Sequence, residues 1–393
     1  MLLTIIVFGL TLSILILVHE LGHFLVAKKF GIKVEEFGFG YPPRFWGKKV
    51  GETIYSINWI PFGGFVRLFG EETAVKKEKE RSFWFQKKRI RVAVIAAGVI
   101  ANILLAWGSF TIVYSSTGIP TKTDKIKIVG IAPGSVAEQV GLGVGDQIMG
   151  IRDLGGEDVY WQGEGSLEAF IKNVGDKKGE SISLIVGRPE NNPCLGETAV
   201  PAGASCQGER MIFSLTPREN PAEGEGPLGV VVSSFEMKKY PWWQMPYLSA
   251  IEGAKETFGW VMLVFGGVGA MISNLVTSGQ VPQDLAGPIG ILQVTSTVSR
   301  AGILAILQFV GILSANLAVV NILPIPALDG GKLFFLLVET ITGRRQSAKF
   351  EQALQYLGMV LILALMVLIT INDVRRALTT TVIGGQLRSL WPF

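Results

Sequence analysis

The sequence predicts a polytopic α-helical membrane protein that carries a small mixed α/β domain inserted between its spans. Two observations predict this fold class, and a third points to a functional site within it. Of the 393 residues, 49% are hydrophobic and only 17% are charged, which is too apolar for a soluble protein of this length. Long uncharged apolar runs recur along the chain, whereas residues 117–240 are polar and acidic. The chain contains two histidines, and both lie in its first apolar segment.

The apolar runs predict the spans. The first run covers residues 2–18, and a helix that continues through Ala27 is long enough to cross a bilayer. No basic segment precedes this run and no small-residue cleavage site follows it, so we expect a span rather than a signal peptide. Four further runs cover residues 92–113, 259–276, 303–323 and 357–371.

Charge asymmetry predicts the orientation of the chain. Residues 28–91 contain 15 Lys/Arg against 7 Glu, whereas residues 117–240 contain 12 Lys/Arg against 17 Asp/Glu. Because cytoplasmic loops of membrane proteins are rich in Lys and Arg, we expect residues 28–91 inside and residues 117–240 outside. The same rule explains the basic stretch without nucleic acid, so we expect no nucleic-acid partner.

The external segment has the pattern of a small α/β domain. We expect strands at residues 126–131 and 181–186 and a short helix at residues 167–174. Cys194 and Cys206 both fall in this segment, where a disulfide between them is expected, the alternative being two free thiols. The composition of residues 189–208 around them predicts a loop insertion, to which we assign no chemistry.

The two histidines belong to the pentapeptide His19-Glu20-Leu21-Gly22-His23. On a helix, positions i and i+4 lie one turn apart on the same face, so both imidazoles can bind one metal ion. The glutamate beside the first histidine is placed to act as general base on a water molecule. The alternative is a chance occurrence in an unrelated helix, but ionisable groups at membrane depth are rare and usually functional.

A catalytic zinc usually needs three protein ligands, and no third histidine exists. A carboxylate is therefore expected, and the strongest candidate is Asp329, directly after the apolar run 303–323. Pro324 and Pro326 break the helix there, and two glycines follow the aspartate. Without a metal site, the same segment would be a simple helix stop and turn.

The position of Asp329 restricts the number of spans. It must reach the depth of His19 and His23, near the cytoplasmic side, and a full crossing by residues 259–276 would leave it on the wrong face. We therefore expect about four spans, with residues 259–276 interfacial or re-entrant, as Gly266, Gly267 and Gly269 suggest. The alternative is five ordinary spans without an assembled metal site.

Residues 129–151 carry the most specific pattern of the external segment, with Pro-Gly-Ser, Gly-Leu and Gly-Asp groups at fixed spacing. The pattern resembles the PDZ domains of bacterial proteases. Such domains bind an extended peptide along a sheet edge beside a helix. The resemblance leaves two roles open, which are peptide binding and steric obstruction of an active site.

The histidine pentapeptide and the segment Asn321-Ile-Leu-Pro-Ile-Pro-Ala-Leu-Asp329-Gly-Gly together resemble the site-2 protease family of intramembrane zinc metalloproteases. The resemblance is strongest to the bacterial regulator-of-sigma-E type with a single PDZ domain. It implies one zinc ion bound by His19, His23 and Asp329, with Glu20 as the catalytic base. It also implies that Asn316 and Asn321 contact the substrate near the scissile bond, and Asn321 is a candidate donor to an oxyanion.

The cytoplasmic loop extends the resemblance. Residues 38–43 and 60–70 are similar to the family's membrane-associated β-hairpin, and Gly63 and Gly64 would line an exposed strand edge that binds the unwound substrate. Residues 97–102 depart from the family pattern, because they lack a proline that often follows Ala-Gly there.

These expectations divide the chain into four parts. Residues 1–116 form the first two spans and the β-loop, residues 117–240 the extracytoplasmic PDZ domain, residues 241–300 an interfacial or re-entrant gating segment, and residues 301–393 the last two spans. The expected protein is a multi-pass zinc endopeptidase of the bacterial inner membrane, with its active site towards the cytoplasmic side. It would cut single-pass membrane proteins, such as an anti-sigma factor or a signal-peptide remnant, after a first extracytoplasmic cut. The alternative is a PDZ-bearing membrane scaffold with a non-catalytic metal site.

Overall fold

The structure is a computed structural model of the chain. It describes residues 2–71, 78–152, 158–161, 165–188, 192–195, 200–201, 203–221, 225–278, 287–344 and 347–380. The chain divides into two compact units. Unit 1 consists of Met1–Ser116 together with Pro241–Phe393, and unit 2 is Thr117–Tyr240. Because unit 2 interrupts unit 1, the two halves of unit 1 come from opposite ends of the sequence.

Unit 1 is mainly helical. Its helices in the described ranges are α1 (Leu2–Lys29), α2 (Lys88–Thr117), α5 (Met245–Ser278), α6 (Pro288–Ala301), α7 (Ile303–Ile322), α8 (Asp329–Thr342) and α9 (Ala348–Thr380). Five of them are long and apolar enough to cross a membrane, namely α1, α2, α7, the Met245–Asn274 part of α5 and the Lys349–Arg375 part of α9. These helices fit a multi-pass membrane protein.

Helix α5 continues without a break through the glycine-rich stretch. It runs over Met245–Ser278, and Gly266, Gly267 and Gly269 lie inside it, where an added Cβ atom would meet no neighbour within 4 Å among the described residues. The predicted gating segment continues beyond α5, but its residues 279–286 lie outside the described residues. The part described after this gap is α6, which packs against α1, α7 and α9.

A twisted antiparallel hairpin follows α1. Its strands are β1 (Val34–Val50) and β2 (Thr53–Leu68), and both strands bend along their length. Phe37 in the first half of β1 pairs on one side with Tyr55 and on the other side with Val66. The hairpin therefore forms four rows, in which the last part of β2, residues 64–68, is an outer row. One edge of residues 64–68 has no strand partner in the hairpin. We call residues 64–68 the inner edge row.

The base of the hairpin is fixed in a small core of unit 1. The buried members of this core come from α1, the hairpin, α2, α8 and the segments that join α1, the hairpin and α2, and they are Ala27, Ile32, Val34, Leu68, Phe83, Val94, Ile95 and Leu336. At the turn of the hairpin, Arg81 and Lys28 both pair with Glu52, and they hold the pKa of that carboxyl below its usual range.

Unit 2 is an antiparallel sheet with two short helices. Its elements in the described ranges are β3 (Ile119–Ile131), α3 (Val136–Gln139), β4 (Gln147–Arg152), β5 (Asp158–Tyr160), α4 (Ser166–Asp176), β6 (Ile182–Gly187), β7 (Ala204–Gln207), β8 (Arg210–Leu215) and β9 (Val230–Lys238). The strand order is β7-β8-β6-β4-β3-β9, and β5 pairs with β4. The strands predicted at residues 126–131 and 181–186 and the helix predicted at residues 167–174 are confirmed, because they coincide with β3, β6 and α4.

The Pro-Gly-Ser pattern begins α3. Ser135 caps this helix, since its side-chain oxygen accepts a hydrogen bond from the backbone N–H of Glu138. Ala137 behind it is fully buried in the core of unit 2. Asp146 later in the same pattern is buried and forms a bidentate ion pair with Arg188, which raises the pKa of the guanidinium.

The two cysteines are joined in unit 2. A disulfide links Cys194 to Cys206. The prediction of a plain loop over residues 189–208 is wrong in part, because residues 204–207 form β7, which pairs with β8. Residues 189–191, 196–199 and 202 of this stretch lie outside the described residues.

Candidate metal centre

Three side chains from opposite ends of the chain converge in unit 1. His19 and His23 lie one turn apart on α1, and Asp329 is the first residue of α8. Each histidine Nε2 lies 3.0 Å from Asp329 Oδ2, and the two Nε2 atoms are 3.2 Å apart. Both histidines are buried, and the carboxylate is 12% exposed. Among the residues that the structure describes, this is the group of three whose geometry suits a metal ion.

The chemistry of these atoms fits a cation. Although two ring nitrogens lie 3.0 Å away, Asp329 Oδ2 is buried and accepts no hydrogen bond of acceptable geometry from any described residue. Three lone-pair atoms, two nitrogens and one oxygen, would repel each other at this separation unless a positive charge lies between them. The set of two imidazoles and one carboxylate is a common ligand set of catalytic zinc.

The turn after α7 brings Asp329 to the histidines. The helix ends at Ile322 because Leu323 precedes a proline and adopts an extended conformation. The chain then folds back tightly: a Cβ atom on Gly330 would collide with the carbonyl oxygens of Ile322 and Leu323. Gly331 is equally constrained by the backbone of Ile325. Only glycine fits at these positions, and α8 can therefore begin at the aspartate.

Helix α2 forms the back wall of the site. A Cβ atom on Gly98 would collide with the imidazole rings of both His19 and His23. On the other side of the same contact, Gly22 of α1 lies against the backbone of Ala97. Two glycines thus allow α1 and α2 to approach closely at the level of the histidines.

Glu20 lies at the side of these three residues, beside a cavity. Its Oε2 accepts a hydrogen bond of 3.0 Å from the backbone N–H of Val66 in the inner edge row. A cavity of about 200 Å³ is lined by Glu20, His23, Asp329 and the inner edge row. It has room for water and for a short piece of extended peptide beside the carboxylate.

The two glycines predicted to bind substrate lie on the hairpin next to this cavity. Gly64 lines the cavity, and Gly63 adopts a left-handed conformation (φ +80°) beside Ile16 and Tyr41. The two asparagines differ in their surroundings. Asn321 is buried, and its Nδ2 lies 3.5 Å from His19 Nδ1. Asn316 is half-buried, and its side chain makes no hydrogen bond to any residue that the structure describes.

Two polar residues of the site were not singled out by the sequence analysis. Asn102 on α2 is fully buried, and its Nδ2 lies 3.2 Å from His19 Nδ1. Lys332 on α8 lines the same cavity as Glu20 and donates a hydrogen bond of 2.6 Å to Glu71. Their spacing gave a weak signal only: Asn102 follows Gly98 by one helical turn, and Lys332 follows Asp329 by three residues.

Comparison with known proteins identifies the family. Residues 7–365 match the family model of peptidase family M50. A Clostridium acetobutylicum protein named "Putative zinc metalloprotease" is 31% identical over 93% of this chain and 95% of its own length. The zinc metalloprotease RasP of Geobacillus kaustophilus and the regulator of sigma-W protease RasP of Bacillus subtilis are each 27% identical, over 95% of this chain and 98% of their own lengths. The chain therefore belongs to peptidase family M50, the site-2 protease family of zinc-dependent metalloproteases, and zinc is its metal.

Proposed function

We propose that this protein is an intramembrane zinc endopeptidase that cleaves single-pass transmembrane proteins in regulated proteolysis. The observation that carries the proposal is the convergence of His19, His23 and Asp329, with Glu20 beside them, among helices apolar enough to span a bilayer. Ionisable groups at that depth are costly and are retained mainly for function.

In this proposal, the side chains of His19, His23 and Asp329 hold one zinc ion. Zinc in such a site acts as a Lewis acid that polarises a scissile carbonyl and makes water more acidic. Glu20 takes the proton of the attacking water and passes it to the leaving amine. The N–H of Val66 holds the Glu20 carboxylate towards the cavity during both transfers.

The proposed topology has four spans, formed by α1, α2, α7 and α9. Contacts support the directions of three of them. His23 contacts Val94 and His19 contacts Asn102, so α2 runs antiparallel to α1. Along α7, Gly311 lies against Phe110 and Ser314 against Asn102, so α7 runs antiparallel to α2. Helix α7 therefore begins at the end of the bundle where α2 stops.

This arrangement requires an even number of crossings between α2 and α7. We propose that α5 lies at the interface or dips into the membrane, and that α5 and α6 together form the gating segment. The basic residues 28–91 then lie in the cytoplasm, and unit 2 lies outside as an inserted PDZ domain. The protein would be a multi-pass protein of the bacterial inner membrane, with the zinc site towards the cytoplasmic side.

The inner edge row is the proposed substrate-docking element. A transmembrane helix satisfies all its backbone hydrogen bonds internally, so a protease must unwind it before attack. An unwound segment can add as a strand along residues 64–68, where the backbone groups that Glu20 does not occupy offer main-chain hydrogen bonds to any sequence. Gly63 and Gly64 carry no side chains that would keep the segment away from the cavity, and Asn316 and Asn321 would contact it from α7.

We propose that unit 2 selects which membrane proteins reach the site. As a PDZ domain above the membrane, it would exclude bulky ectodomains and admit substrates already trimmed on the outer side, and it would bind a peptide along a sheet edge. One relative is named a regulator of sigma-W protease, which supports an anti-sigma factor as the substrate class. A signal-peptide remnant has the same single-pass chemistry.

A reconstituted cleavage assay tests the proposed function. The full chain and its Glu20→Gln variant would be placed in lipid vesicles with a single-pass substrate that lacks most of its ectodomain. We expect wild-type protein to cut inside the hydrophobic segment, and Glu20→Gln to lose at least about 100-fold in rate because the proton carrier is gone. The introduced amide keeps an oxygen for the Val66 N–H, so zinc content should not change. Cleavage at an unchanged rate by the variant would refute the assignment of Glu20.

A further inference from the structure

The two histidines of the metal centre differ in what holds their outer ring nitrogen, Nδ1. In His23, Nδ1 lies 2.8 Å from the carbonyl oxygen of Val94. A carbonyl oxygen only accepts hydrogen bonds, so Nδ1 of His23 carries the ring proton and Nε2 keeps a lone pair for the metal. His19 has the same requirement, because its Nε2 faces Asp329 in the same way.

Two asparagine side chains lie next to His19 Nδ1, and the orientation of their amides is incompatible with this requirement. The Nδ2 atoms of Asn102 and Asn321 lie 3.2 Å and 3.5 Å away. An amide nitrogen only donates, so Nδ1 would have to accept. The ring proton would then sit on Nε2, where it would block the metal.

The side chain of Asn102 provides the solution. Asn102 is fully buried, and its Oδ1 has no hydrogen-bond partner among the residues that the structure describes. The two ends of an amide have nearly the same shape, and their assignment follows from the hydrogen bonds they make. A half-turn of the amide places Oδ1 beside His19 Nδ1, so that the orphaned acceptor receives the ring proton.

We propose that Asn102 is a positioning residue, whose Oδ1 accepts the Nδ1–H of His19 and thereby fixes the ring for zinc binding through Nε2. The backbone of Asn102 is well placed for this role, because its carbonyl accepts a hydrogen bond of 2.8 Å from Ser314 Oγ on α7. Asn321 lies farther from the ring, with its Nδ2 3.5 Å from His19 Nδ1. This assignment rests on the metal site of the proposed function.

Measurements of zinc affinity distinguish the contribution of the Asn102 side-chain oxygen from that of the rest of the side chain. We compare Asn102→Asp, which keeps an acceptor oxygen, with Asn102→Leu, which removes it. Ser109→Ala is the matched control, because Ser109 is a buried residue of α2 whose hydroxyl has no partner among the described residues. Competition with a chromophoric chelator, on full chain purified in detergent, gives the affinity.

Removal of an outer partner of a metal-binding histidine typically weakens metal affinity 10- to 100-fold, so we expect about that loss for Asn102→Leu. We expect Asn102→Asp and Ser109→Ala to stay within about 3-fold of wild type, because both keep an acceptor at His19. Equal losses in Asn102→Asp and Asn102→Leu would overturn the assignment, since an aspartate cannot replace a donating amide. Wild-type affinity in Asn102→Leu would also overturn it.

The chain's two histidines allow a direct observation that does not depend on a folded leucine variant. Histidine labelled with ¹⁵N, in a full chain with a histidine-free affinity tag, gives NMR signals from two rings. We expect both rings to carry the proton on Nδ1 in the zinc-loaded wild type, because Nε2 then keeps its lone pair for the metal. A proton on Nε2 of His19 would overturn the proposal. A chain with Nδ1–H on His19 that never cleaved a substrate would refute the proposed function alone.

Discussion

At the scale of single residues, the metal centre depends as much on absent side chains as on present ones. Gly22 and Gly98 let α1 and α2 approach, and Gly330 and Gly331 let the chain fold back before α8. In each case the space is bounded by backbone or by a histidine of the candidate metal centre, which cannot move aside at little cost. The packing of α1, α2 and α8 therefore holds His19, His23 and Asp329 in position.

The close contact between Gly98 and the two histidine rings predicts the effect of a single methyl group. We expect Gly98→Ala to lower zinc content to below about half of wild type, because the added carbon would displace both imidazoles from their positions. Metal analysis of the purified chain measures this. The control is Gly108→Ala on the same helix, where the added carbon meets open space. Full zinc content in Gly98→Ala would contradict the geometry.

The sequence predicts some of these residues and not others, for a physical reason. The helical period alone places His19 and His23 on one face, since they lie one turn apart. The position of Asp329 beside them depends on a turn whose glycines and prolines are visible in the sequence. Asn102 and Lys332 carry no such local signal, because their contacts with His19 and Glu71 arise only when distant helices pack.

At the scale of elements, the inner edge row connects the hairpin to Glu20 and to the cavity beside the candidate metal centre. Its Val66 N–H holds Glu20, and its Gly64 lines the cavity. The sequence indicates β-structure in this loop, but not the four rows, because both strands bend and β1 pairs on both sides. It also indicates a helix stop after α7, but not that a new helix begins at Asp329 itself.

The element-scale prediction concerns docking. We expect Gly64→Val to raise KM for a transmembrane substrate roughly 10-fold, because its side chain would crowd the carbonyl oxygen of Gly38 and Leu17 of α1 and so displace the inner edge row with which a substrate strand would pair. Zinc content should stay unchanged, since no ligand is touched. Gly47→Val, in the opposite outer row of the same hairpin, is the control. An equal effect of both substitutions would indicate general damage to the hairpin instead of a docking role.

At the scale of the whole molecule, the candidate metal centre lies in one unit, and the selection of substrates is proposed for the other. Unit 1 contains the metal centre, and unit 2 contains neither histidine and none of the residues around Asp329. The first and last strands of unit 2 pair at their ends, with Ile119 opposite Lys238, so the insertion leaves and returns at one place. A short linker can therefore replace it without stretching unit 1.

We expect a chain in which residues 117–240 are replaced by a short flexible linker to keep its zinc. It should cut untrimmed and trimmed substrates at rates within about 3-fold of each other, because the proposed barrier to bulky ectodomains is gone. Paired cleavage assays in vesicles, with the intact chain as reference, measure the ratio. An unchanged preference for trimmed substrates would place selection elsewhere in the protein.

In the proposed mechanism, residues from the two ends of the chain hold one catalytic zinc ion. The most direct test is zinc per chain in detergent-purified wild type and Asp329→Ala, with Asp373→Ala as control. Asp373 is also a buried aspartate of unit 1, but it binds the backbone N–H of Gly290 instead of the histidines. We predict about one zinc in wild type and Asp373→Ala and less than about 0.2 in Asp329→Ala, because two histidines alone bind zinc weakly. Undiminished zinc in Asp329→Ala would contradict the claim.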